Sequence, residues 1–387
     1  MHVCAIISEY DPLHKGHEKQ LRLIRQQLGE DTAIVCLMSG NFTQRGMPAV
    51  FDKTVRARAA VEAGADLVLE LPVTKVLSSA EGFARGGVEI LDRLGVADHL
   101  CFGCESGDIQ KIKDTAEILC KPDFTEAFQA NIRCGLSYAA ARQRALESLS
   151  GDGTLLRNPN DILAVEYCKA LLERKSRIEP MAVLREGDYH DEAPDTDNPS
   201  ATAVRARMEE VGDWRPYVPD ACIPVYEQAA RHTFRVGERA LLARLRGMDD
   251  DEWQNVPHGG EGLWSKVMKA ARQGGSVEEI LAAAKSKRYP QTRLQRLVMC
   301  AYLGITQEDL QRPIGYVRAL AFNDTGSALL KQAKKNGSIP VVNAGEKPED
   351  TAFYAMECRA ARLYGLFAEN ADAVSDSLEE KIRIYKK

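Results

Sequence analysis

The order of apolar segments in the first half of the chain most constrains its fold. Five short apolar runs alternate with amphipathic stretches of helical spacing, which predicts βαβ units and a mostly parallel sheet. The predicted strands are His2–Ser8, Thr32–Met38, Leu67–Leu71, Val96–Phe102 and Ile178–Leu184. The predicted helices between and around them are His17–Leu28, Lys53–Ala63, Ala80–Leu94, Asp108–Leu119, Ser137–Leu149 and Asp161–Glu173.

The strand signals end after a Pro- and Asp-rich stretch at Asp191–Pro199 and a short predicted helix at Ala201–Val211. The remaining segments have mainly helical spacing as far as Leu366. A chain of 387 residues corresponds to two domains at roughly 150 residues each. We therefore predict a Rossmann-like α/β domain over residues 1–212 and a mainly α-helical domain over residues 213–387.

Composition excludes several other classes of protein. The chain is 44% hydrophobic, which is too apolar for a disordered protein. Its longest apolar runs, Ala33–Met38 and Leu67–Leu71, are far shorter than the roughly 20 residues of a membrane helix. The N-terminus has no secretory leader pattern, and the ten cysteines lie mostly in apolar runs. We expect a cytoplasmic protein with no membrane partner; a monomer is compatible with these features.

One cysteine pair, Cys101 and Cys104, has the spacing of half a zinc site. No second pair of this kind stands near it, so we favour two structural thiols over a metal site.

The net charge of −5 is unevenly distributed. The segment Lys266–Gly345 contains 13 Lys/Arg and 5 Asp/Glu, a net of +8, so the rest of the chain carries −13. Such a basic segment is typical either of a surface for nucleic acid or of solvated helix faces.

The first predicted strand leads directly into a candidate phosphate site. His14, Gly16 and His17 follow this strand and open the next helix. A helix N-terminus attracts anions, glycine permits close approach of the backbone, and imidazoles supply further donors. A metal site using both histidines and Asp11 is the alternative, although no other ligand is evident nearby.

This His-x-Gly-His pattern resembles the HxGH nucleotidyltransferase superfamily. That superfamily carries a later Ser-x-Thr-x-x-Arg motif, which Ser200, Thr202 and Arg205 match. The resemblance implies that Arg205 reaches the β- and γ-phosphates and that the two hydroxyls cap a helix near them. A serine or threonine before a helix agrees with this role, because it caps free backbone amides.

Longer motifs resemble one family within that group, the tRNA(Met) cytidine acetate ligases. The resemblance implies that acetate is activated by ATP as acetyl-adenylate and then transferred to N4 of the wobble cytidine of elongator tRNA(Met). It covers both halves of the chain, most densely residues 1–205. The matching segments are Met38–Gly46, Ala63–Pro72, Phe102–Ser106, Pro159–Leu163, Arg185–Asp191 and Ser286–Arg296.

The resemblance also implies the residues of the site. His14, His17 and Arg205 would be catalytic, with ATP as substrate and Mg²⁺ expected beside it. Outside the first motif, Gly103, Asn160, Arg185, Ser200 and Thr202 would complete the ATP site. The nucleotide-binding stretch itself would comprise Ile7, Ser8, Glu9, Tyr10, Asp11, Pro12, Leu13, His14, Lys15, Gly16, His17, Glu18, Lys19 and Gln20.

Two residues depart from the family pattern. Asp11 stands where the family usually has Asn, and Leu13 where Phe is usual. A carboxylate near a triphosphate either is compensated by magnesium or alters substrate use.

Two further segments follow predicted strands, where ligand loops of parallel sheets gather. Ser39–Gly46 contains Arg45 among small polar residues and suits substrate contact. Arg185, followed by Asp188 and His190, stands after the last predicted strand.

For RNA binding we predict a cluster of cations around one aromatic residue. Tyr289 is suited to stack on a base while the neighbouring cations neutralise phosphates. The predicted RNA-binding residues are Lys285, Lys287, Arg288, Tyr289, Arg293 and Arg296, and Lys331, Lys334 and Lys335 form a second cluster.

Two other functions remain open on these residues alone. A nucleotidyltransferase that adenylates a small phosphorylated metabolite would use the same first domain but leave the basic segment without a role. An RNA-binding protein with a vestigial nucleotide site would not need the complete His14, His17 and Arg205 set.

Overall fold

The computed structural model describes residues 1–185, 196, 198–210, 212–343 and 345–370, together with the backbone of 383–384. Its centre is one sheet with strand order β5-β4-β1-β2-β3-β6-β7, and β8 pairs with β6. The strands are β1 Val3–Ser8, β2 Ala33–Ser39, β3 Leu67–Leu71, β4 His99–Cys104, β5 Glu179–Leu184, β6 Val317–Phe322, β7 Val341–Val342 and β8 Arg383–Ile384.

The predicted α/β fold with a parallel sheet is confirmed, since β1 to β5 all run parallel. Alternate side chains of these strands enter two different cores, as the period of two in a strand requires. Ala5 and Val35 face the core under α4, α5 and α8, whereas Ile6 and Cys36 face the core under α1 and α2. The α-helices of the first half are α1 Lys15–Leu28, α2 Lys53–Glu62, α3 Val73–Val76, α4 Ala80–Leu94, α5 Ile109–Leu119, α6 Pro122–Arg133, α7 Tyr138–Ser150, α8 Pro159–Arg174 and α9 Ala201–Glu209.

The second half is mainly helical, as predicted, and its helices pack around Trp253 and Tyr302 in a core that Phe42, Val73 and Leu77 of the first half join. Its helices are α10 Ile223–Glu227, α11 Phe234–Gly247, α12 Asp250–Gln254, α13 Leu263–Gln273, α14 Val277–Ala284, α15 Gln291–Leu303, α16 Gln307–Gln311, α17 Asp324–Asn336 and α18 Thr351–Gly365.

Sequence reasoning missed three strands in the second half. The first, β6, pairs antiparallel with β3 and so extends the sheet of the first half. The described parts of the two halves therefore share one sheet, and the division at residues 212/213 stays a prediction about domains.

The strand order reverses between β1 and β4, because the chain first adds β2 and β3 on one side of β1 and later adds β4 and β5 on the other. Open parallel sheets bind ligands in the crevice at the carboxyl ends of such strands.

Candidate active site

A cavity of about 690 Å³ lies at that edge of the sheet, which is ample for a nucleotide. Residues from the ends of β1, β4 and β5 and from the start of α9 line one side of it. The loop after β2 also lines the cavity, as do Thr233, Phe234, Thr292 and Arg296 of the second half.

His14 and His17 lie together at the start of α1. His14 is the N-cap residue, and its backbone N–H donates to Nδ1 of His17 at 3.3 Å. The two rings stack with centroids 3.7 Å apart. Both ring nitrogens of His14 are buried and have no hydrogen-bond partner in the described structure. The motif thus presents unmet hydrogen-bonding capacity beside the cavity.

Burial favours the neutral form of both imidazoles. Burial, followed by the charge of Arg185, lowers the pKa of His17 to about 3. Burial also holds the pKa of His14 well below its usual value, with His17 and two arginines as lesser causes. Neutral rings can still donate one hydrogen bond each to a phosphate oxygen.

Ser200 caps a helix, as its motif suggested, whereas Thr202 contacts Arg205 instead of capping; contact of either hydroxyl with phosphate stays a prediction. Ser200 caps α9 by accepting from the backbone N–H of Ala203 at 3.1 Å. Thr202 Oγ1 accepts from Arg205 at 3.2 Å, and Arg205 also contacts Oδ2 of Asp11 at 3.2 Å. This network fixes the guanidinium at the N-terminal turn of α9, facing the cavity.

Asp11, the residue that departs from the family pattern, is 4% exposed. Its Oδ1 accepts from the backbone N–H of Val50 at 2.7 Å, and its Oδ2 pairs with Arg205. Leu13 is fully buried below the cavity, where its backbone N–H bonds the hydroxyl of Tyr226.

Gly103, Asn160 and Arg185 meet on the β4–β5 side of the cavity. Asn160 Nδ2 donates to Glu105 at 2.7 Å, and Arg185 donates to Oδ1 of Asn160 at 3.5 Å. A Cβ added at Gly103 would have no neighbour within 4 Å. The free protein therefore does not require glycine there, whereas close approach of a ligand would.

The loop after β2 is tied to the end of β1. The backbone N–H of Gln44 donates to Oε1 of Glu9 at 2.5 Å. Burial raises the pKa of Glu9, partly offset by that N–H. Burial lowers the pKa of Arg45, and the nearby charge of Glu9 offsets part of this shift. As predicted from its position, this loop contributes to the cavity, through Thr43, Gln44 and Arg45.

Most of the predicted ATP-site residues line one cavity, and their roles stay predictions. The lining ones are Ile7, Ser8, Glu9, Tyr10, Asp11, His14, Gly16, His17, Lys19, Gln20, Gly103, Asn160, Arg185, Ser200, Thr202 and Arg205. Pro12, Leu13, Lys15 and Glu18 do not line it, since the first two are buried beneath the turn and Glu18 is exposed. Asp188 and His190 lie outside the described residues.

The cysteine pair is structural. Cys101 and Cys104 are both fully buried in β4, but their side chains enter opposite cores of the sheet. They cannot converge on one ion, so the zinc alternative is wrong. In the part of the chain that the structure describes, no three His, Cys, Asp or Glu side chains are grouped as metal ligands.

Magnesium does not need such a group when it arrives with a nucleotide. Mg²⁺ is commonly held by substrate phosphates, waters and one or two carboxylates. Glu9 and Asp11 both line the cavity, so the residues present fit a phosphate-bound Mg²⁺.

The predicted RNA-binding residues separate in the structure. Lys285 and Lys287 are exposed, and Arg288 is exposed but paired with Glu261 at 2.9 Å. Tyr289 lies beneath the guanidinium of Arg293, 5.1 Å from the ring centroid. The second cluster, Lys331, Lys334 and Lys335, is exposed on α17.

Arg296 is placed differently from the other predicted RNA-binding residues. It is 8% exposed and lines the cavity, where its Nη1 donates to the carbonyl of Gln44 at 3.3 Å. Sequence reasoning did not anticipate this position, nor the cavity residues Thr233, Phe234 and Thr292. The one sequence feature that Thr233, Phe234 and Thr292 share is a position at the start of a helix, α11 for the first two and α15 for the third.

Among the described helices, none is both long and apolar enough to cross a bilayer. None of the ten cysteines forms a disulfide.

Comparisons with known proteins agree with the motifs. The family model for the HIGH nucleotidyl transferases matches residues 1–378. A tRNA(Met) cytidine acetate ligase of Caldanaerobacter subterraneus is 35% identical and is aligned over 96% of both chains. One from Anoxybacillus flavithermus is 36% identical over 94% of both.

Solved structures agree as well. The Thermotoga maritima TmcAL bound with alpha-thio ATP superimposes with a TM-score of 0.89 at 28% identity, and its apo form with a TM-score of 0.92. Each comparison covers the whole of both chains. With a match to the family model over nearly its whole length, and with relatives above 30% identity aligned over almost all of it, the chain belongs to the tRNA(Met) cytidine acetate ligase family of HIGH nucleotidyl transferases.

Proposed function

We propose that this protein is an ATP-dependent ligase that activates acetate and acetylates N4 of the wobble cytidine of elongator tRNA(Met). The observation that carries the proposal is the cavity in which His14, His17 and Arg205 meet Gly103, Asn160 and Arg185. The names of the relatives support the substrate and the reaction.

In the first step a carboxylate oxygen of acetate attacks the α-phosphorus of ATP. A new O–P bond forms while the bond to the β-phosphate oxygen breaks, and pyrophosphate leaves with the electron pair. His14, His17 and Arg205 stabilise the charge on the phosphates, with any Mg²⁺ held mainly by the phosphates themselves. The protein acts by positioning and electrostatic stabilisation rather than by a covalent enzyme intermediate.

The N-terminus of α1 suits this step because its backbone amides add donors to those of the imidazoles. Neutral histidines avoid charge repulsion with the nearby arginines while ATP is absent, which is consistent with their lowered pKa values.

In the second step the cytidine amine attacks the acetyl carbon. The bond from that carbon to the adenylate oxygen breaks, AMP leaves with the electron pair, and the amine loses one proton to solvent. The wobble base lies in a loop, so presenting it to the cavity costs less than extruding a base from a duplex.

The RNA itself would contact the cations that immediately precede α15. Lys285, Lys287 and Arg288 are exposed there, a few residues ahead of the cavity residue Thr292. RNA bound along this segment is therefore adjacent to the cavity mouth. We place the reaction in the cytoplasm, which agrees with ten cysteines that form no disulfide.

Mass spectrometry of tRNA nucleosides tests the proposal. Bulk tRNA is incubated with enzyme, ATP and labelled acetate and then digested to nucleosides. We expect labelled N4-acetylcytidine that depends on both ATP and enzyme. Label in another nucleoside, or none in any, would contradict the proposal.

Histidine variants connect this activity to the site. His14→Gln and His17→Gln should each lower kcat/KM about 10²- to 10³-fold, the usual effect of removing one donor to transition-state charge. His2→Gln is the matched control, because His2 is exposed and packs on His99 outside the cavity. Equal activity of all three variants would exclude the cavity as the active site.

A further inference from the structure

Four arginines line the cavity in the described structure, and three of them lie near a carboxylate. Arg205 pairs with Asp11 at 3.2 Å. The carboxylate of Glu9 stabilises the charge of Arg45, and that of Glu105 stabilises the charge of Arg185.

Arg296 is the exception. It is 8% exposed, yet no carboxylate of the described residues forms an ion pair with it or stabilises its charge. Its Nε is buried without a hydrogen-bond partner, and its Nη1 bonds only the neutral carbonyl of Gln44. Burying a charge without a counter-ion is costly, so a cation kept in this state beside an open cavity indicates an anionic ligand group.

The sheet order indicates which anion this is. The proposed ATP residues come from the ends of β1, β4 and β5, on both sides of the strand-order reversal, and from the start of α9. Arg296 lies against the loop after β2, the strand that adjoins β1 on the side away from β4. A reactant that attacks the α-phosphorus in line must approach from the side away from the leaving pyrophosphate. With ATP held by the residues at the ends of β1, β4 and β5, the part of the cavity beside the loop after β2 is left for the acid.

The surroundings of Arg296 suit a very small acid. The loop residues Met47 and Pro48 supply apolar surface in the cavity, and Met47 Sδ lies 3.8 Å from Nε2 of Gln295. Gly46 packs so closely on α15 that an added Cβ would lie 2.6 Å from the backbone nitrogen of Arg296. A guanidinium beside apolar surface matches the two ends of acetate, a carboxylate and a methyl group.

We propose that Arg296 binds the carboxylate of the acid substrate, with Met47 and Pro48 against its methyl group. This inference rests on the proposed function and assigns a subsite within the same cavity. It also makes the second half of the chain a part of the adenylation site rather than an RNA-binding region alone.

The test is acetate-dependent exchange between ATP and labelled pyrophosphate, measured on the full-length protein without tRNA. Arg296→Met should raise the KM for acetate about 10- to 100-fold, as expected for loss of a charge-assisted hydrogen bond. Arg296→Lys should recover part of this loss, and the KM for ATP should change less than about threefold in both variants.

Arg359→Met is the matched control. Arg359 also donates to main-chain carbonyls, those of Leu303 and Gly304 at the far end of α15, and does not line the cavity. Its KM for acetate should equal that of the wild type. Thermal unfolding of each variant confirms that the proteins compared are folded.

The outcomes separate the alternatives. A KM for ATP that rises in parallel would make Arg296 a phosphate ligand. A KM for acetate that is unchanged in the exchange assay, with a raised KM for tRNA in the tRNA acetylation assay, would return Arg296 to the RNA surface. Either result overturns the inference alone. Wild-type protein without any acetate-dependent exchange would overturn the proposed function and this inference with it.

Discussion

Two buried arginines of the basic segment Lys266–Gly345 occupy opposite electrostatic environments. Arg318 lies in β6, is 2% exposed and has Oε2 of Glu357 3.6 Å from its guanidinium. Arg296 lies in α15, is nearly as buried and has no carboxylate partner in the described structure. The same residue type therefore serves two purposes in one segment.

The difference between them is one of charge balance. Arg318 belongs to a cluster of four charged side chains, in which Lys53 also pairs with Glu70 at 2.8 Å, so that two cations face two carboxylates. Arg296 adjoins open cavity volume and has a charge that the protein leaves unbalanced. A paired buried charge contributes to the fold, whereas an unpaired one beside a cavity contributes to ligand binding.

The largest expected effect follows from removing the paired arginine. Arg318→Met should lower the free energy of unfolding by about 3–5 kcal/mol, because it leaves the carboxylate of Glu357 buried with too little positive charge. Chemical denaturation above the pKa of Glu357, where its carboxyl group is ionised, measures this loss.

Arg296→Met is the comparison that could contradict this contrast. No carboxylate loses its partner in that variant, so unfolding should change by no more than about 1 kcal/mol in either direction. Similar destabilisation of the two variants would mean that pairing does not distinguish the two arginines.

The charged cluster around Arg318 should also make the free energy of unfolding depend on pH. Burial, and then the charge of Glu70, raises the pKa of Glu357 to about 7. The unfolded chain releases that proton at the lower, ordinary pKa, so the stabilising contribution is complete below about pH 4.5 and is lost as the pH rises to about 7. Denaturation across this range should therefore show a smaller decline for Glu357→Gln than for the wild type. Parallel curves would place the titration elsewhere.

Much of the first half could be predicted from sequence because its signals are local. The apolar runs of β2 and β3 are central strands, buried along their whole length. His14 and Ser200 stand at helix N-termini, and the motif around each is contained within a few residues. The end of β1 and the N-termini of α1 and α9 together define the end of the cavity where we propose that the phosphates bind.

The structure of the second half was harder to predict because the contacts that position its strand β6 and Arg296 join residues far apart in sequence. Arg318 interrupts the apolar run of β6, and its compensating partner Glu357 lies far along the chain in α18, so the strand was missed. Arg296 resembled a surface cation because nothing local shows that α15 packs on the loop after β2. The small size of Gly46 reflects that contact, but glycine is just as common in turns that contact nothing.

A substitution at Gly46 tests whether this contact holds Arg296 at the cavity. Gly46 has φ +78°, and an added Cβ would lie 2.6 Å from backbone atoms of Gln295 and Arg296. Gly46→Ala should cost about 1–3 kcal/mol through strain and overpacking, and should raise the KM for acetate. Gly151→Ala is the matched control, with φ +77° and no atom within 4 Å of an added Cβ. Equal losses in the two variants would assign the cost to backbone strain alone.

The smallest expected effect concerns the pairing of a cavity arginine. An asparagine at position 11 can still accept from Val50 but cannot form an ion pair with Arg205. Asp11→Asn should therefore release Arg205 toward the phosphates and remove a negative charge from their neighbourhood, a gain of about 1 kcal/mol or roughly fivefold tighter ATP binding. Calorimetry at fixed magnesium measures it, with Asp52→Asn, at the N-cap of α2 outside the cavity, as the control. Weaker binding by Asp11→Asn would show that the carboxylate holds Arg205 in its working position. The ion pair with Asp11 would then orient Arg205 for binding ATP. Arg205 and Arg296 would in that case differ in how their guanidinium groups are oriented rather than in whether their charges are balanced.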